Sequence, residues 1–284
     1  MWQAYGSLYS EHTVQGELLV YPAVHSPQLK NARELFVWLP PSYRQSERRY
    51  PVLYMHDGQN LFDVQRSYAG EWEVDETMQH LATEGIEAII VGLPNMGEQR
   101  MAEYNPYPGW NLRGRGSDYI EFLTQTVKPF IDAEFRTRPE AAATGIAGSS
   151  MGGLISLYGW LTRPELFGFC GAFSPVFWLG RGKLQAAIAH AQPTMGRVYL
   201  DVGTAEGEVI ARHSRVLRLI LGGEPETEYS AGVRGLHDAL MARGFGPAAL
   251  RYVEEEGAPH HESAWARRLP AALRFLLGPL ALQT

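Results

Sequence analysis

The sequence has almost no cysteine and no excess of positive charge. Its one cysteine, Cys170, excludes an intrachain disulfide and is expected to be a small buried thiol. Lys and Arg together number 25 against 31 Asp and Glu, which gives a formal net charge of −6. Because phosphate backbones and anionic membranes attract basic surfaces, neither nucleic acid nor a membrane is expected as a partner.

Only residues 141–162 form a segment that has no charged side chain and is long enough to span a bilayer. Glycines and serines fill its first half, which favours a buried strand, a tight turn and a buried helix over a membrane span. The N-terminus also lacks a basic leader followed by an apolar stretch, so a cytoplasmic location is expected.

No linker, internal repeat or low-complexity tract interrupts the chain. Its 30 glycines and 18 prolines are dispersed between apolar segments, as is typical of turns in a globular fold. A hydrophobic content of 45% provides enough apolar surface for a sizeable core. We therefore expect a single domain over residues 1–284.

Strand-like and helix-like segments alternate along most of the chain. The strand candidates are residues 17–23, 34–39, 52–56, 88–93, 144–147, 168–173, 198–202 and 250–254. The helix candidates are residues 71–83, 117–134, 151–161, 209–221 and 232–243. This alternation predicts an α/β fold with a mostly parallel eight-stranded sheet covered by helices on both faces. The first two strands have no helix between them and are expected to form an antiparallel edge.

Ligands of such sheets bind beyond the carboxyl ends of the strands, and a serine motif follows the fifth strand candidate. Gly148, Ser150 and Gly152 form a Gly-x-Ser-x-Gly pattern ahead of the helical segment LISLYGWL. A nucleophilic serine needs a sharp turn that exposes its hydroxyl, and flanking glycines allow strand and helix to approach closely. Strand, turn and helix occur here in the required order, which predicts Ser150 as a nucleophile.

A serine hydroxyl needs a base to take its proton and a carboxylate to orient that base. Of the nine histidines, His260 and His261 follow the last strand candidate, where the order serine, acid, histidine requires the base. Spacing does not choose between them. For the acid, Glu206 in the loop after the seventh strand is favoured, with Glu208 and Asp201 as alternatives.

Two backbone amides are also required to stabilise the negative charge that develops on the reacting carbonyl. Met151, directly after the serine, is expected to provide one of them. The second is expected from residues 56–60, HDGQN, where Gln59 is the candidate donor. A metal site at His56 and Asp57 is the less favoured interpretation, because the two lack a recognisable ligand spacing.

Four segments together resemble the putative esterase family of α/β hydrolases: YPVLYMHDGQNLFD, GIAGSSMGGLISLYG, VYLDVGTAEGE and GAPHHESAWARRLPAALRFLL. That group contains siderophore, feruloyl and acetyl-xylan esterases, S-formylglutathione hydrolase and mycolyltransferases. The resemblance covers roughly residues 33–278. It implies an α/β-hydrolase fold and a catalytic triad, and says little about the substrate.

By position, the resemblance implies Ser150 as the nucleophile, His260 as the base and Glu206 as the acid. Many relatives carry aspartate where Glu206 stands. The second oxyanion amide then belongs to Gln59, the residue after Asp-Gly. The resulting hypothesis is a serine esterase that needs no metal or organic cofactor and acts on a small acyl, aryl or siderophore-type ester. Alternatives are acyl transfer to an alcohol or sugar, and a noncatalytic ligand-binding protein.

Aromatic residues follow two of the strands on the expected site edge. Residues 96–115 include Tyr107 and Trp110, and Phe177 and Trp178 follow the sixth strand candidate. We expect Tyr107, Trp110 and Trp178 to line the substrate pocket. An ordinary connecting loop with packed aromatic side chains is the alternative for the first segment. Nothing in the sequence indicates an oligomeric state.

Overall fold

The computed structural model describes residues 1–107, 114–179, 182–207 and 225–281. Its strands are β1 Gln3–Ala4, β2 Glu17–Ser26, β3 Asn31–Leu39, β4 Val52–His56, β5 Ile89–Leu93, β6 Thr144–Ser149, β7 Phe169–Phe173, β8 Arg197–Gly203 and β9 Leu250–Glu255. Its α-helices are α1 Tyr5–Leu8, α2 Val74–Ala82, α3 Arg100–Glu103, α4 Gly116–Phe122, α5 Lys128–Glu134, α6 Met151–Thr162, α7 Lys183–Ile188, α8 Pro225–Ala242 and α9 Glu262–Ala281.

The described strands form one sheet in the order β1-β2-β3-β5-β4-β6-β7-β8-β9. The first four in this order pair antiparallel, and the pairs from β5 to β9 are parallel. The predicted α/β class and the antiparallel edge are confirmed. The strand number differs, since the sheet has nine strands and not eight. The additional strand, β1, has two residues, which is too short for a pattern to reveal it.

Both faces of the sheet are buried, as β4 illustrates. Val52 and Tyr54 belong to one hydrophobic cluster, and Leu53 and Met55 belong to another. Successive side chains of a strand point to opposite faces, so the two clusters lie on opposite sides of the sheet. This explains why the central strands are apolar throughout instead of alternating with polar residues.

The helices follow the predicted pattern with two differences. The helix expected over residues 117–134 consists of α4, a π-helical turn at Leu123–Val127 and α5. The helix expected over residues 232–243 begins earlier, as α8. The helix predicted over residues 209–221 lies outside the described residues. The final helix, α9, buries Leu269, Leu273, Leu276 and Leu277 in the core.

The charge-free segment 141–162 divides into β6 and α6. Within the described ranges, no helix combines the length and the apolar character needed to cross a membrane. Cys170 in β7 is free and fully buried, and burial raises the pKa of its thiol. The expectation of a small buried thiol is confirmed.

Candidate active site

Ser150 lies on the turn between β6 and α6, with φ 57° and ψ −119°. A positive φ is costly for a residue with a Cβ, so this backbone must be held by its neighbours. The Ser150 amide donates to the Phe173 carbonyl at 2.9 Å. A Cβ on Gly148 would lie 3.0 Å from both the carbonyl carbon of Gly152 and Cδ2 of His56. The first glycine of the Gly-x-Ser-x-Gly pattern therefore meets a packing requirement of the strand–turn–helix crossing.

The structure distinguishes the two adjacent histidines by their partners. His260 Nδ1 lies 3.0 Å from Glu206 Oε2, and the Glu206 side chain is completely buried. His261 is exposed, and its Nδ1 accepts the Ser263 amide at 3.2 Å at the beginning of α9. Only His260 thus has a carboxylate partner, whereas His261 acts as a helix cap.

The Glu206 carboxylate is fixed by donors other than the histidine. Its Oε1 accepts the Ser174 hydroxyl at 2.5 Å and the Gly203 amide at 2.7 Å. Ser174 in turn accepts the indole N–H of Trp265 at 2.9 Å. Because Oε1 is occupied in this way, Oε2 is available for His260, and the carboxylate is held in one orientation.

Asp201, the alternative acid, has a different set of partners. Its carboxylate accepts Arg268 Nε at 2.8 Å, the Ser174 amide at 2.9 Å and the Tyr199 hydroxyl at 3.1 Å. Burial raises the pKa of Asp201 to about 6, although the Arg268 guanidinium opposes this rise. Asp201 therefore forms a buried ion pair beside Glu206 and does not contact the histidine. Glu208, the other alternative, lies outside the described residues.

Aromatic rings enclose the His260 imidazole on two sides. Tyr229 and Trp265 pack edge-on against it, with ring centroids 5.6 and 5.0 Å away. The Tyr229 hydroxyl donates to the Ser174 carbonyl at 2.6 Å. Trp178, predicted to bind substrate, is partly exposed and packs edge-on against Tyr229, with ring centroids 5.3 Å apart. The structure thus brings Trp178 into the aromatic group next to His260.

On the other side of Ser150, the loop after β4 forms a tight turn. Asp57 has φ 56°, and a Cβ on Gly58 would lie 2.7 Å from the Gly92 backbone. Arg100 binds both Asp57 oxygens, at 2.7 and 2.8 Å, and the Asn95 amide group donates to Oδ1 at 2.7 Å. The Asp57 side chain therefore fixes a left-handed backbone conformation that a non-glycine residue rarely adopts.

This loop lies against the beginning of α6, where Met151 is the first residue. A Cβ on Gly152 would lie 3.5 Å from Asp57 Oδ2. The Gln59 side chain is also fixed, since its Oε1 accepts the Asn95 amide at 3.1 Å. The first amides of a helix have no acceptor within the helix, so the Met151 N–H can donate to a ligand.

His56, at the end of β4, is buried and shares a hydrogen bond of 2.8 Å between its Nδ1 and the Tyr119 hydroxyl. Burial lowers the pKa of His56 to about 3, so the imidazole is neutral at physiological pH. Both oxygens of the neighbouring Asp57 are taken by Arg100. His56 Nε2 has no hydrogen-bond partner, but the occupied Asp57 carboxylate leaves the pair without a free carboxylate ligand for a metal ion.

The other two predicted substrate contacts are not brought to Ser150 by any described interaction. Tyr107 is nine-tenths buried and packs edge-on against Tyr158 of α6, with ring centroids 6.1 Å apart. Trp110 lies outside the described residues. A pocket role for these two residues stays a prediction.

Sequence patterns did not reveal Ser174, Tyr229 and Arg268. Ser174 directly follows β7, at the same sheet edge as Ser150, so its position was a usable signal. Arg268 Nη2 lies 3.1 Å from the Ser174 hydroxyl and 3.6 Å from Glu206 Oε1. No local pattern indicates these contacts, because they join segments far apart in the chain.

Comparison with known proteins places this chain in a family. The family model for putative esterases matches residues 26–276. The uncharacterized protein YbbA of Bacillus subtilis is 28% identical over 256 residues, 87% of this chain and 93% of its own. The siderophore triacetylfusarinine C esterase of Aspergillus fumigatus is 29% identical over 135 residues, 45% of this chain and 44% of its own.

Among solved structures, an IroE-like serine hydrolase from Shewanella oneidensis superposes with a TM-score of 0.69 at 20% identity. The match covers 92% of this chain and 80% of the other. A likeness at this identity establishes the fold, which is the expected α/β-hydrolase fold. The family match extends over most of the chain and includes every element that surrounds Ser150. The chain therefore belongs to the putative esterase family and is an esterase of the α/β-hydrolase fold.

Proposed function

We propose that this protein is a serine esterase that cleaves carboxylic esters through an acyl-enzyme on Ser150. The observation that carries the proposal is the 3.0 Å contact between His260 Nδ1 and the buried Glu206 Oε2, at the sheet edge where Ser150 occupies its strained turn. Serine, acid and histidine follow β6, β8 and β9, in the chain order of this fold class.

In the first step, Ser150 Oγ attacks the ester carbonyl carbon while His260 Nε2 accepts the hydroxyl proton. The resulting imidazolium is stabilised by Glu206, which accepts the Nδ1–H and fixes the tautomer that leaves Nε2 free as a base. The completely buried carboxylate has little competition from water. This charge–charge contact is therefore stronger than it would be on the surface.

The negative charge on the carbonyl oxygen is received by the backbone amides of Gln59 and Met151. The Asp57–Arg100 pair supports the first of these amides by holding the turn that contains it. Collapse of the tetrahedral intermediate breaks the ester C–O bond, and the leaving alcohol takes the proton from His260. Water then attacks the acyl-enzyme with the same base, which releases the acid and regenerates Ser150.

For the substrate we propose a small acyl, aryl or siderophore-type ester. The partly exposed rings of Phe177 and Trp178 support this class, because they provide flat apolar surface and pack on Tyr229, the buried ring beside His260. The Aspergillus fumigatus relative is named as a siderophore esterase, which favours the same class.

The experiment is hydrolysis of a p-nitrophenyl ester series of increasing acyl length by the wild type and three variants. Ser150→Ala and His260→Ala are expected to lower kcat more than about a thousandfold. His261→Ala, the matched control, removes a helix cap and is expected to stay within a few-fold of the wild type. Near-normal turnover by Ser150→Ala would overturn the proposal.

The same set of proteins distinguishes ester hydrolysis from acyl transfer and from noncatalytic ligand binding. Added alcohols that accept most of the acyl group, at the expense of free acid, would identify a transferase. Absence of turnover and of acyl-enzyme formation by the wild type on every ester would favour a noncatalytic binding role.

A further inference from the structure

Two segments of the candidate site are joined by one hydrogen bond. Glu262 is the first residue of α9 and stands two positions after His260. Asn60 directly follows Gln59 in the turn after β4. The Asn60 side-chain amide donates from Nδ2 to Glu262 Oε1 at 3.3 Å. Within the described ranges, no other hydrogen bond joins this turn to the segment from His260 to Glu262. The contact therefore connects the segment of the proposed base with the segment of the proposed oxyanion amide.

The deep burial of the Glu262 side chain is unusual for its position. An acidic residue in the first turn of a helix is favoured by the helix dipole and is normally solvated. Glu262 is only 8% exposed, and its partner Asn60 is only 7% exposed. Burial raises the pKa of the Glu262 carboxyl, and Asp57 and His260 act on this pKa in opposite directions. The carboxylate thus lies between the two segments and not on the outer surface of α9.

Asn60 is fixed within its own segment by three further hydrogen bonds. Its amide donates to the Asp57 carbonyl at 2.8 Å, and its carbonyl accepts the Trp72 amide at 2.9 Å. Its side-chain oxygen accepts the Tyr68 amide at 3.0 Å. One end of the side chain is therefore bound to its own segment and the other end to α9. A displacement of α9 would be transmitted to the turn that contains Gln59.

The same two segments also pack closely on each other. A Cβ on Gly70, which has φ 123°, would lie 3.3 Å from Glu262 Cβ. The Trp72 ring packs on Trp265 of α9, with ring centroids 5.5 Å apart. Apolar packing of this kind brings the segments together but has no directional preference. The hydrogen bond requires its donor and acceptor to be aligned, so it fixes how the segments are oriented.

We propose that Glu262 is a positioning residue, which through Asn60 holds the two segments of the candidate site at a fixed separation. These segments contain His260 and the Gln59 amide. The inference rests on the proposed function, since it concerns the distance between the proposed base and the proposed oxyanion donor. A displacement of about 1 Å between catalytic groups can lower a rate about a hundredfold, so a contact that fixes their separation should affect kcat.

The test exchanges the two groups of the pair. Asn60→Asp places two carboxylates in contact, whereas the double variant Asn60→Asp with Glu262→Gln again pairs one carboxylate with one amide. In both proteins the aspartate can still accept the Tyr68 amide. On a p-nitrophenyl ester, Asn60→Asp is expected to lower kcat at least about tenfold with KM nearly unchanged. The double variant is expected to return to within about threefold of the wild type, because the hydrogen bond is restored.

Three single variants separate positioning from folding. Glu262→Gln keeps an oxygen that accepts from Asn60 and should stay within a few-fold of the wild type. Glu262→Ala removes the acceptor and should lower kcat about tenfold, which is informative even where Asn60→Asp does not fold. Glu256→Gln, which changes an exposed carboxylate between β9 and α9, should behave like the wild type. A lower Tm in Glu262→Ala with unchanged kcat would show a structural role only and would overturn the proposal.

Thermal unfolding of the same proteins without substrate tests the contact itself. The Tm is expected to fall by several degrees in Asn60→Asp and to recover in the double variant. A double variant with a kcat no higher than that of Asn60→Asp would overturn the proposal, whatever its Tm. A wild type without ester turnover would contradict the proposed function instead. Recovery of the Tm would then decide alone whether Glu262 holds the two segments together.

Discussion

Asp201, Glu206, His260 and Arg268 lie on one side of Ser150, which we call the histidine flank. The buried ion pair of this flank joins elements that are far apart in the sequence. Arg268 of α9 binds Asp201 at the end of β8, and both side chains are almost fully buried. On the loop flank (residues 56–60 with Arg100), the pair joins the β4 loop to α3, and a quarter of the Arg100 side chain is exposed. Each flank has one aspartate bound by one arginine.

The two pairs differ in what they hold. Arg268 also approaches Glu206 at 3.6 Å and Glu255 at 2.9 Å, so it compensates three carboxylates and fixes the charge distribution near His260. Arg100 binds one carboxylate and fixes a backbone turn with φ 56°. Disruption of the histidine flank should therefore affect chemistry and stability strongly. Disruption of the loop flank should have smaller effects.

The largest effect is expected from Glu206→Gln. In the proposed mechanism the amide keeps the shape of the side chain but no longer stabilises the imidazolium or selects its tautomer, so kcat should fall by roughly ten-thousandfold with little change in KM. Steady-state kinetics on a p-nitrophenyl ester measures this. Glu256→Gln, which changes an exposed carboxylate in the loop that carries His260, is the control. A fall of less than tenfold would show that Glu206 is not the orienting acid.

The second largest effect is expected from Asp201→Asn, and it concerns stability. The variant leaves the Arg268 guanidinium buried without its full countercharge, and the free energy of unfolding should fall by about 3–4 kcal/mol. Urea denaturation measures the loss. The kcat of the folded variant should fall far less than that of Glu206→Gln. The opposite ranking of the two variants would contradict the assignment of their roles.

The third effect is a pH dependence on the loop flank. Because burial lowers the pKa of His56 to about 3, the unfolded chain binds a proton below about pH 6.5 that the folded chain does not. Through His56, the free energy of unfolding of the wild type should therefore fall by about 2 kcal/mol when the pH is lowered from about 6 to about 4.5. The stability difference between wild type and His56→Gln should shift by this amount in urea denaturation. A constant difference would show that His56 titrates normally.

The smallest effect is expected from Arg100→Met. Without the guanidinium, Asp57 no longer holds the turn, and the Gln59 amide should be less well positioned. We expect kcat to fall about tenfold with KM nearly unchanged, because the proposed oxyanion contact of this amide would form mainly in the transition state. Arg100→Lys should recover part of the loss. A change confined to KM would indicate that Arg100 contacts substrate instead of positioning the loop.

The sequence was informative where function depends on short, local patterns. Alternating strands and helices predicted the α/β fold, and the glycines around Ser150 predicted the turn, where a Cβ on Gly148 would lie only 3.0 Å from its neighbours. The β1 strand was missed because two residues form no pattern.

The support for the acid was not predictable in the same way. The Ser174 hydroxyl contacts Glu206 across 32 residues and Trp265 across 91. Spacing also left His260 and His261 equivalent, although one ring meets a buried carboxylate and the other caps a helix. Such contacts depend on how the strand ends come together, which sequence spacing alone does not determine.

The most direct test of the central claim is the covalent reaction of Ser150 with a fluorophosphonate probe, followed by mass spectrometry of the intact protein and its peptides. A single adduct on Ser150 is predicted for the wild type, with no adduct on Ser150→Ala and much slower labelling of His260→Ala. An unlabelled wild type, or an adduct that persists at the same rate in Ser150→Ala, would contradict the claim that Ser150 is the nucleophile.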